Sequence, residues 1–554
     1  MLLSRVQRFS ALLPQLNQSV SSSSSALDTC ITELTDSACS VSNDWMENPS
    51  KLAKLIWRSA KQNVRDDKLW SKLTKRAFLM TPHMSGEELT SVLFSYGKIR
   101  YRDMKFLEET NSLVLKHLSD LPNDCIVTIL NSYKQLEYRR LDTIQLLVNQ
   151  LIVNQKSLTA HDLALAANAA SWFYIYQSEF WRMICEGVVK GKASDFTPLG
   201  VSLTVAALAR VDQRHTKSLR VLSFIFVDFC RKSILPQESL AVGLHAFAKL
   251  GWNIESSLKN RRSSVDISVS SSEAILGAVE EKLIRAFDLR GPHRTGGRSN
   301  DTFDVQALVL VLHAICSLYP EGRPIENLRR KVVFMIFQLL AEVWDEGLKR
   351  QKKSLAPERI LSAFQLKKIR QAAVIYNSWG DERLTISGQL ATNITAFLDF
   401  LRAPLSSDFS EFSRFNARWT MEIFRILKSE IKCRPIRCAS PEDMQRQEIS
   451  IPKPADKGPG VVVECIGPYG YYAESEILTA SEKLRQRLIR LGGRRVMEIP
   501  FFEWRNLPEN EKILYLYTKA RELVNQEIPE SAPIPEKNKI SSNGVIESED
   551  WIDV

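Results

Sequence analysis

The sequence predicts a mainly α-helical protein, an α-solenoid of ~37-residue helical-hairpin repeats followed by a small α/β domain. Three observations predict this fold class. Five segments align at a nearly constant period and a sixth follows a long insertion, apolar residues within each segment recur at helical spacing, and the C-terminal part changes to short β-branched runs bounded by Gly and Pro. The 554 residues are 44% hydrophobic and 25% charged, so most of the chain is expected to fold.

Residues 1–45 are predicted to be a mitochondrial presequence and a disordered start. The stretch from Met1 to Ala26 contains Arg5 and Arg8, many serines and no acidic residue, and its apolar residues recur every three or four positions. An Arg-rich, Ser-rich and acid-poor amphipathic start is typical of mitochondrial targeting. This composition predicts a location in the mitochondrial matrix, and a merely disordered N-terminus is the alternative.

Residues 46–432 are predicted to form the solenoid. The repeats begin near Met84, Leu121, Leu158, Phe196, Leu235 and Phe303. Apolar columns separated by four, three and three residues keep one helix face apolar, and a second apolar stretch follows in each unit. Each repeat is therefore a helical hairpin that buries its face by stacking on its neighbours. A serine-rich insertion at about 254–300 separates the last two copies, and further helices are expected over Leu328–Trp344, Glu358–Ser378, Ser387–Arg402 and Glu411–Ile431.

The charge distribution favours a polyanionic partner. Lys and Arg number 74 against 64 acids, and the tail over 527–554, predicted to be disordered, is acidic, so the body is more basic than the average. Cations recur after the first helix of several repeats, where a row would follow a phosphate backbone and Tyr101 and Tyr138 would stack on unpaired bases. Solvated turns are the alternative interpretation. The candidate RNA-binding residues of the solenoid are Lys98, Arg100, Arg102, Lys105, Lys134, Arg139, Arg140, Arg210, Arg214 and Lys217.

Membrane insertion, metal binding and cofactor binding are not expected. No apolar run reaches the length of about 18 residues that a membrane span needs. The nine cysteines are scattered, and the closest pair, Cys433 and Cys438, has no second pair beside it, which argues against zinc. His245 and His313 occupy the same column of two repeats, which predicts a packing role for both.

A linker is predicted over 433–460, followed by an α/β domain over 461–526. Val461–Ile466 is a predicted strand, Ser475–Leu491 a helix, Arg495–Pro500 a second strand and Glu503–Asn525 a closing helix. The order strand, turn, helix, strand, helix indicates a small α/β unit.

The stretches VVVECIGPYGYY, LRQRLIRLGGRRVMEIPFFEW and KILYLYTKA of this domain resemble the RAP domain. That domain accompanies heptatricopeptide-type repeats in organellar RNA-binding proteins of FAST-kinase-like architecture, and the solenoid is similar to those repeats. The resemblance implies a restriction-endonuclease-like fold and RNA as the ligand. Five arginines on and after the predicted helix are therefore further RNA-binding candidates: Arg485, Arg487, Arg490, Arg494 and Arg495.

Catalysis is not expected, because the family usually has Asp immediately before the Gly-Pro pair and this chain has Ile466 there. An alkyl side chain cannot bind the metal ion that nuclease chemistry needs. Glu464, two residues earlier on the same strand face, is the one substitute on that strand, and Glu498 lies near the end of the second strand. A metal-dependent RNA endonuclease using Glu464 is thus an alternative to a protein that only binds.

The predicted function is to bind and stabilise organellar RNA in mitochondria. Ribosomal RNA is the preferred target, with the protein as a mitoribosome component or assembly factor beside mitochondrial ribosomal proteins, because RAP proteins resembling this one are numerous where mitochondrial ribosomal RNA is fragmented. Three alternatives stay open: an RNA processing factor, the metal-dependent RNA endonuclease, and a protein-binding scaffold.

Overall fold

A computed structural model describes residues 48–191, 193–254, 270–289, 303–318, 326–350, 360–379, 389–402, 418–431, 434–439, 447–451 and 460–524. The predicted presequence and the acidic tail lie outside these residues, as do Cys433 and much of the predicted linker. The chain forms two compact units. The first contains the described residues up to Ala246, together with Ile254, 270–278 and 284–289, and the second contains Phe247–Asn253, Val279–Leu283 and the described residues from Phe303 onward.

The repeat region is built from helical hairpins. Its helices are α1 Pro49–Lys61, α2 Asp67–Met80, α3 Gly86–Ile99, α4 Met104–His117, α5 Asn123–Gln135, α6 Leu141–Val153, α7 Ala160–Trp172, α8 Ser178–Lys190, α9 Pro198–Arg210, α10 Thr216–Arg231, α11 Gln237–Lys249 and α12 Ser271–Leu289. In the first unit α1, α3, α5, α7 and α9 pack side by side as one row, the first-helix row, and α6, α8 and α10 pack as a second row. The predicted solenoid is therefore confirmed.

The apolar columns of the sequence form the core of this stack. Leu93, Leu130, Ala167 and Val205 are fully buried at equivalent positions of α3, α5, α7 and α9. The hairpin of α1 and α2 precedes the first repeat identified in the sequence and adds one more layer, because Leu52, Ile56 and Trp70 are buried in the same way. Sequence alignment missed this layer.

Several of the first helices begin with side-chain caps. Ser85 and Glu88 form a capping box at the start of α3, and Thr159 and Asp162 form another at the start of α7. Thr197 accepts a hydrogen bond from the Gly200 N–H at the start of α9. These caps satisfy backbone donors that the helix itself leaves unpaired.

Each of the six first helices from α1 to α11 ends in the same left-handed turn. A residue one or two positions after the helix has a positive φ, and the next residue donates its N–H to a carbonyl five residues back, as Tyr138 does to Tyr133 at 2.9 Å. The left-handed residues are Asn63, Arg100, Glu137, Tyr174, Asp212 and Gly251. This turn brings the chain back for the second helix and points the residue after it inward.

The predicted insertion contains a helix. Residues 255–269 lie outside the described residues, but α12 occupies Ser271–Leu289, within the 254–300 segment that the serine-rich composition assigns to a spacer. Ile275, Val279 and Leu283 are buried on it at helical spacing. The second helix of the fifth hairpin therefore follows the serine-rich tract.

The second unit continues the helical repeats and ends in the α/β domain. Its helices are α13 Val305–Leu318, α14 Glu326–Arg350, α15 Ala363–Asn377, α16 Gln389–Arg402, α17 Arg418–Ser429, α18 Ala480–Leu491, α19 Phe501–Asn506 and α20 Lys512–Val524. Helix α13 packs on α15, and α15 packs on α18 of the α/β domain, so α18 is the next helix in this row. Among the described residues, none of the helices is sufficiently long and apolar to span a membrane.

The α/β domain contains a four-stranded sheet in the order β1-β2-β3-β4. The strands are β1 Ile436–Ala439, β2 Gln447–Ile451, β3 Val461–Ile466 and β4 Arg495–Pro500. The first two pairings are antiparallel, and β3 and β4 are parallel, with α18 as their crossover. Strands β3 and β4 have the predicted bounds.

Three features of this domain differ from the sequence analysis. The predicted linker contains β1 and β2, and Ile449 of β2 packs in the core beneath the sheet. Helix α17, predicted as the last solenoid helix, packs on the sheet through Ile423, Ile426 and Leu427. The predicted closing helix is divided into α19 and α20 around Pro508, which has no backbone N–H to donate within a helix.

Candidate nucleic-acid interface

The predicted cations of the solenoid lie around the left-handed turns of the first-helix row. Arg100 is itself the left-handed residue after α3, and Arg102, Lys105, Arg139, Arg140 and Lys217 are exposed beyond the turns. Lys98 and Arg214 are half-buried. Because the helices of the row pack side by side, the turns of successive repeats lie along one edge, which we call the turn edge.

Two of the predicted cations, the buried Lys134 and the half-buried Arg210, have a lowered pKa. Lys134, in the last turn of α5, keeps only 6% of its surface accessible. Burial, together with the charges of Arg210 and Arg100, lowers the pKa of its amine to about 7. The two cations that act on Lys134 come from the repeat before it and from the second repeat after it.

Arg210, at the end of α9, reaches back to the preceding repeat. Its Nη1 donates a hydrogen bond to the Ser171 hydroxyl and a long one, 3.5 Å, to the Asn168 carbonyl of α7. Burial lowers the pKa of the guanidinium to about 10, and the Tyr174 phenol acts in the opposite direction. The structure thus brings Arg100, Lys134 and Arg210, which the sequence separates by up to three repeats, to one part of the turn edge.

The base-stacking role predicted for Tyr138 is wrong. The left-handed residue Glu137 directs Tyr138 inward, where it is 2% exposed and packs edge-on against Tyr133 at 5.0 Å. Tyr101 is half-buried and packs against Trp70 and Tyr96, with ring centroids 6.0 Å apart in both pairs. Both tyrosines therefore close the hairpin turns.

Two exposed arginines of the second repeat contact neighbouring repeats. Arg140 forms an ion pair of 2.6 Å with Glu108 of α4. The Arg139 guanidinium lies over the Trp172 ring of α7, 4.4 Å from its centroid. Sequence analysis did not identify Trp172 as a contact of Arg139, because lysine or arginine occupies the equivalent position in several other repeats.

The arginines of the α/β domain differ in burial. Arg485 is buried on the inner face of α18 and forms an ion pair with Glu464 of β3, which removes it from a surface role. Arg490 forms an ion pair of 3.1 Å with Glu498 of β4. Arg487, Arg494 and Arg495 are partly exposed. Arg485 therefore has a structural contact that its position in a basic run did not predict.

The carboxylates considered for nuclease chemistry are both held by these arginines. Glu464 is 1% exposed and lies directly opposite Glu498 in the parallel β3–β4 pairing. Ile466, at the position of the family's Asp, is fully buried beneath Gly470 of the following turn. Within the described part of the chain, no cluster of three or more His, Cys, Asp or Glu side chains has the geometry of a metal site.

The aromatic residues after the Gly-Pro pair have structural contacts. The Tyr472 hydroxyl donates a 2.9 Å hydrogen bond to the Lys249 carbonyl at the end of α11, and it accepts one from the Ala480 N–H at the start of α18. Tyr471 packs against Phe502 at 5.2 Å, and burial raises the pKa of its phenol to about 12. These contacts attach the α/β domain to the repeat helices of its own unit.

The histidines that recur in the repeats are enclosed among side chains. His245 is buried in the first unit. In the second unit His313 lies 3.1 Å from the Gln371 side-chain oxygen and 3.4 Å from the Lys368 amine, and burial lowers its pKa well below the usual value. Burial also lowers the pKa of Lys368 to about 7. Sequence analysis did not identify Lys368.

Comparison with protein families finds one match in the α/β domain and one in the repeat region. Residues 463–519 match the model of the RAP domain, from the third residue of β3 into α20. The chain contains a RAP domain. Its repeat region matches a second family, described as RNA-editing substrate-binding complex 6 protein, over residues 8–254. No curated protein matches the chain.

The two matches cover different parts of this RAP-domain protein. The RAP match contains Glu464, Ile466 and all five arginine candidates of the domain, but it begins after α17, β1 and β2. The second match covers less than half of the chain and contains Lys134, Arg210 and the whole described first-helix row of the first unit.

Proposed function

We propose that this protein binds RNA along the turn edge of its first-helix row. The observation that carries the proposal is the convergence of Arg100, Lys134 and Arg210 from three repeats, with Arg102, Arg139 and Lys217 exposed beside them. Cations in a row neutralise successive phosphates of a nucleic acid backbone and release its counterions. The names of both matched families, a RAP domain and an RNA-editing substrate-binding complex protein, support RNA as the ligand.

Salt dependence tests this proposal. Replacing the exposed cations Arg102, Arg139 and Lys217 together by Gln should weaken binding of a single-stranded RNA and reduce the slope of log K against log salt by roughly 2, about 0.7 for each phosphate that is no longer neutralised. The matched control replaces Lys54, Lys116 and Lys156, which are exposed lysines of the same unit away from the turn edge, by Gln. Equal slopes for the two triple variants would contradict the proposal.

We also propose that the protein binds RNA without cutting it. The ion pairs Arg485–Glu464 and Arg490–Glu498 support this, because each carboxylate that would hold a metal ion already neutralises an arginine. Incubation of purified protein with labelled RNA and Mg²⁺ or Mn²⁺ should leave the RNA intact. Metal-dependent cleavage that Glu464→Gln abolishes would instead establish the endonuclease.

The cellular role that we propose is in mitochondria, on ribosomal RNA, as a mitoribosome component or assembly factor. The presequence-like composition of residues 1–45 supports the location, and the resemblance to RAP proteins of organelles supports the RNA class. UV crosslinking in isolated mitochondria, followed by sequencing of the attached RNA, distinguishes the alternatives. Reads on ribosomal RNA support the proposal, reads at messenger or precursor ends indicate a processing factor, and no reads above an untagged control indicate a protein-binding scaffold.

A further inference from the structure

Lys134 is almost completely buried. It lies at the C-terminal end of α5, and no carboxylate of the described residues is within ion-pair distance of it. The charged groups that act on it are both cationic, Arg100 after α3 and Arg210 of α9, while α7 between them contributes the neutral Ser171 and Asn168. Buried charges in proteins are ordinarily paired, so this amine lacks the usual compensation.

Hydrogen-bond donors lie at the ends of α7 and α9, in the repeats that follow this amine. Arg210 uses Nη1 for both of its bonds to α7, which leaves Nε and Nη2 of its planar fork for another acceptor. The Trp172 indole N–H, next in the chain to Ser171, is buried and has no hydrogen-bond partner. The Arg139 guanidinium covers the same indole ring. Donors and positive charge without an acid are the complement of an anionic oxygen group.

We propose that Lys134 and Arg210, with Ser171 fixing the Arg210 fork, form a site for one phosphate of the bound RNA backbone, and that Lys134 takes up a proton when the phosphate binds. This inference rests on the proposed RNA-binding function. It makes Lys134 different from the exposed cations of the turn edge, which are charged whether or not RNA is present.

The lowered pKa of Lys134 sets the direction of the effect. With a pKa of about 7 in the free protein, the amine is mostly protonated below that pH and mostly neutral above it. A phosphate beside it favours the charged form and raises the pKa in the complex. RNA affinity should therefore fall as the pH rises from about 6.5 to about 8.5, a range in which a phosphodiester does not titrate.

The experiment measures binding of a fluorescein-labelled single-stranded RNA of about 20 nucleotides to the full chain by fluorescence anisotropy, at about pH 6.5 and about pH 8.5 and constant ionic strength. We expect the Kd of the unmodified protein to rise roughly 10-fold between the two pH values. Lys134→Arg, which stays charged, should change by less than about twofold. Lys134→Met should bind roughly 10-fold more weakly at the lower pH and show the same flat profile.

A second measurement counts the protons directly. Calorimetric titration with the same RNA near pH 7.5, in two buffers of different ionisation enthalpy, should show proton uptake by the unmodified protein and none by Lys134→Arg. Lys156→Met, in the same repeat but exposed at the opposite end of the hairpin, is the matched control and should keep the proton uptake.

The outcomes separate the two proposals. If Lys134→Arg keeps the full pH dependence and proton uptake, or if Lys134→Met binds as tightly as the unmodified protein at the lower pH, the phosphate site is wrong while RNA binding stands. If the unmodified protein does not bind the RNA at all at low salt, the proposed function fails and the site fails with it. Thermal melting of each variant shows whether it has folded.

Discussion

At the scale of single residues, burial decides which cations act on the surface and which act inside the molecule. Lys134 in the first unit and Lys368 in the second both have a pKa lowered to about 7, first by desolvation and then by neighbouring cations. Arg485 is equally enclosed but is compensated by Glu464. Two cations of equal burial, Lys134 and Arg485, thus differ in whether a carboxylate neutralises them.

Lys134 also predicts a pH dependence of stability. Its folded-state pKa lies below the ordinary lysine value of 10.5, so between these two values the unfolded chain binds more protons than the folded one, and stability rises with pH. Without RNA, the free energy of unfolding should increase from pH 7 to pH 9. Lys134→Met should reduce that increase by up to about 1.4 kcal/mol per pH unit, measured by urea denaturation.

The control for this prediction is Lys156→Met, whose stability should follow the unmodified protein at both pH values, because Lys156 is exposed. The second buried lysine, Lys368, contributes the same sign, so the slope of Lys134→Met should be smaller than that of the unmodified protein but still positive. Identical slopes would show that Lys134 is not desolvated in the folded protein.

The Arg485–Glu464 ion pair predicts a second effect at this scale. Glu464→Gln leaves the buried Arg485 charge without its carboxylate and should lower the free energy of unfolding by about 3 kcal/mol. The double replacement of Glu464 and Arg485 by Leu removes both charges and should recover much of the loss. Denaturation of the single and double variants measures the coupling; additive losses would contradict it.

At the scale of elements, the left-handed turn recurs at the end of each first helix from α1 to α11. A side chain in this conformation costs about 1 kcal/mol, and glycine adopts it without a Cβ penalty. Among the six turns described, the one in the fifth hairpin has glycine there, Gly251, while Glu137 occupies the position in the second. The other five left-handed residues have a Cβ, so each of them carries this backbone strain.

Exchanging these residues tests the turn. Glu137→Gly should raise the free energy of unfolding by about 0.5–1 kcal/mol, because Glu137 is exposed and the exchange removes only the strain. Gly251→Ala should lower it by about 1 kcal/mol, since a Cβ there would adopt a positive φ and approach the Tyr472 hydroxyl to 3.0 Å. Glu109→Gly, in the interior of α4, is a control that should destabilise.

Helix positions were predictable from the sequence where the stabilising contacts repeat. The apolar columns at four- and three-residue offsets predicted α3, α5, α7 and α9, because each helix packs on a copy of itself. Strands β1 and β2 and the domain to which α17 belongs were not predictable. Ile426 and Leu427 pack against residues such as Trp504 that are far away in sequence and belong to no repeat.

The candidate site was predictable only in its residue types. Composition and spacing identified Lys134, Arg210 and Arg485 as cations, but their burial depends on how neighbouring helices stack. Tyr138 was assigned to the surface for the same reason, because local sequence does not show that the left-handed turn directs it inward. The Ser171 contact of Arg210 spans a whole repeat, which no local pattern contains.

At the scale of the whole molecule, the boundary of the RAP domain lies before α17. This helix supplies part of the hydrophobic core beneath the sheet, and its Glu422 forms a 2.6 Å ion pair with Lys512 of α20. A fragment of residues 418–526 should therefore unfold cooperatively, whereas a fragment of residues 461–526 exposes that core and should not. Calorimetry of both fragments is the measurement, and cooperative unfolding of the shorter one would place the boundary after α17.

The constant turn has a consequence for the distances along the turn edge. From the left-handed residue to the next helix the chain takes four residues in each of the hairpins of α3, α5, α7 and α9, although the starts of successive first helices differ by 37, 38 or 39 residues. In these four hairpins the variation in repeat length therefore falls in the second helix and the loop after it, whereas the fifth hairpin has its insertion after Gly251. Along these four hairpins, successive turns are therefore separated by the distance between packed helices, about 8–10 Å, although the repeats differ in length.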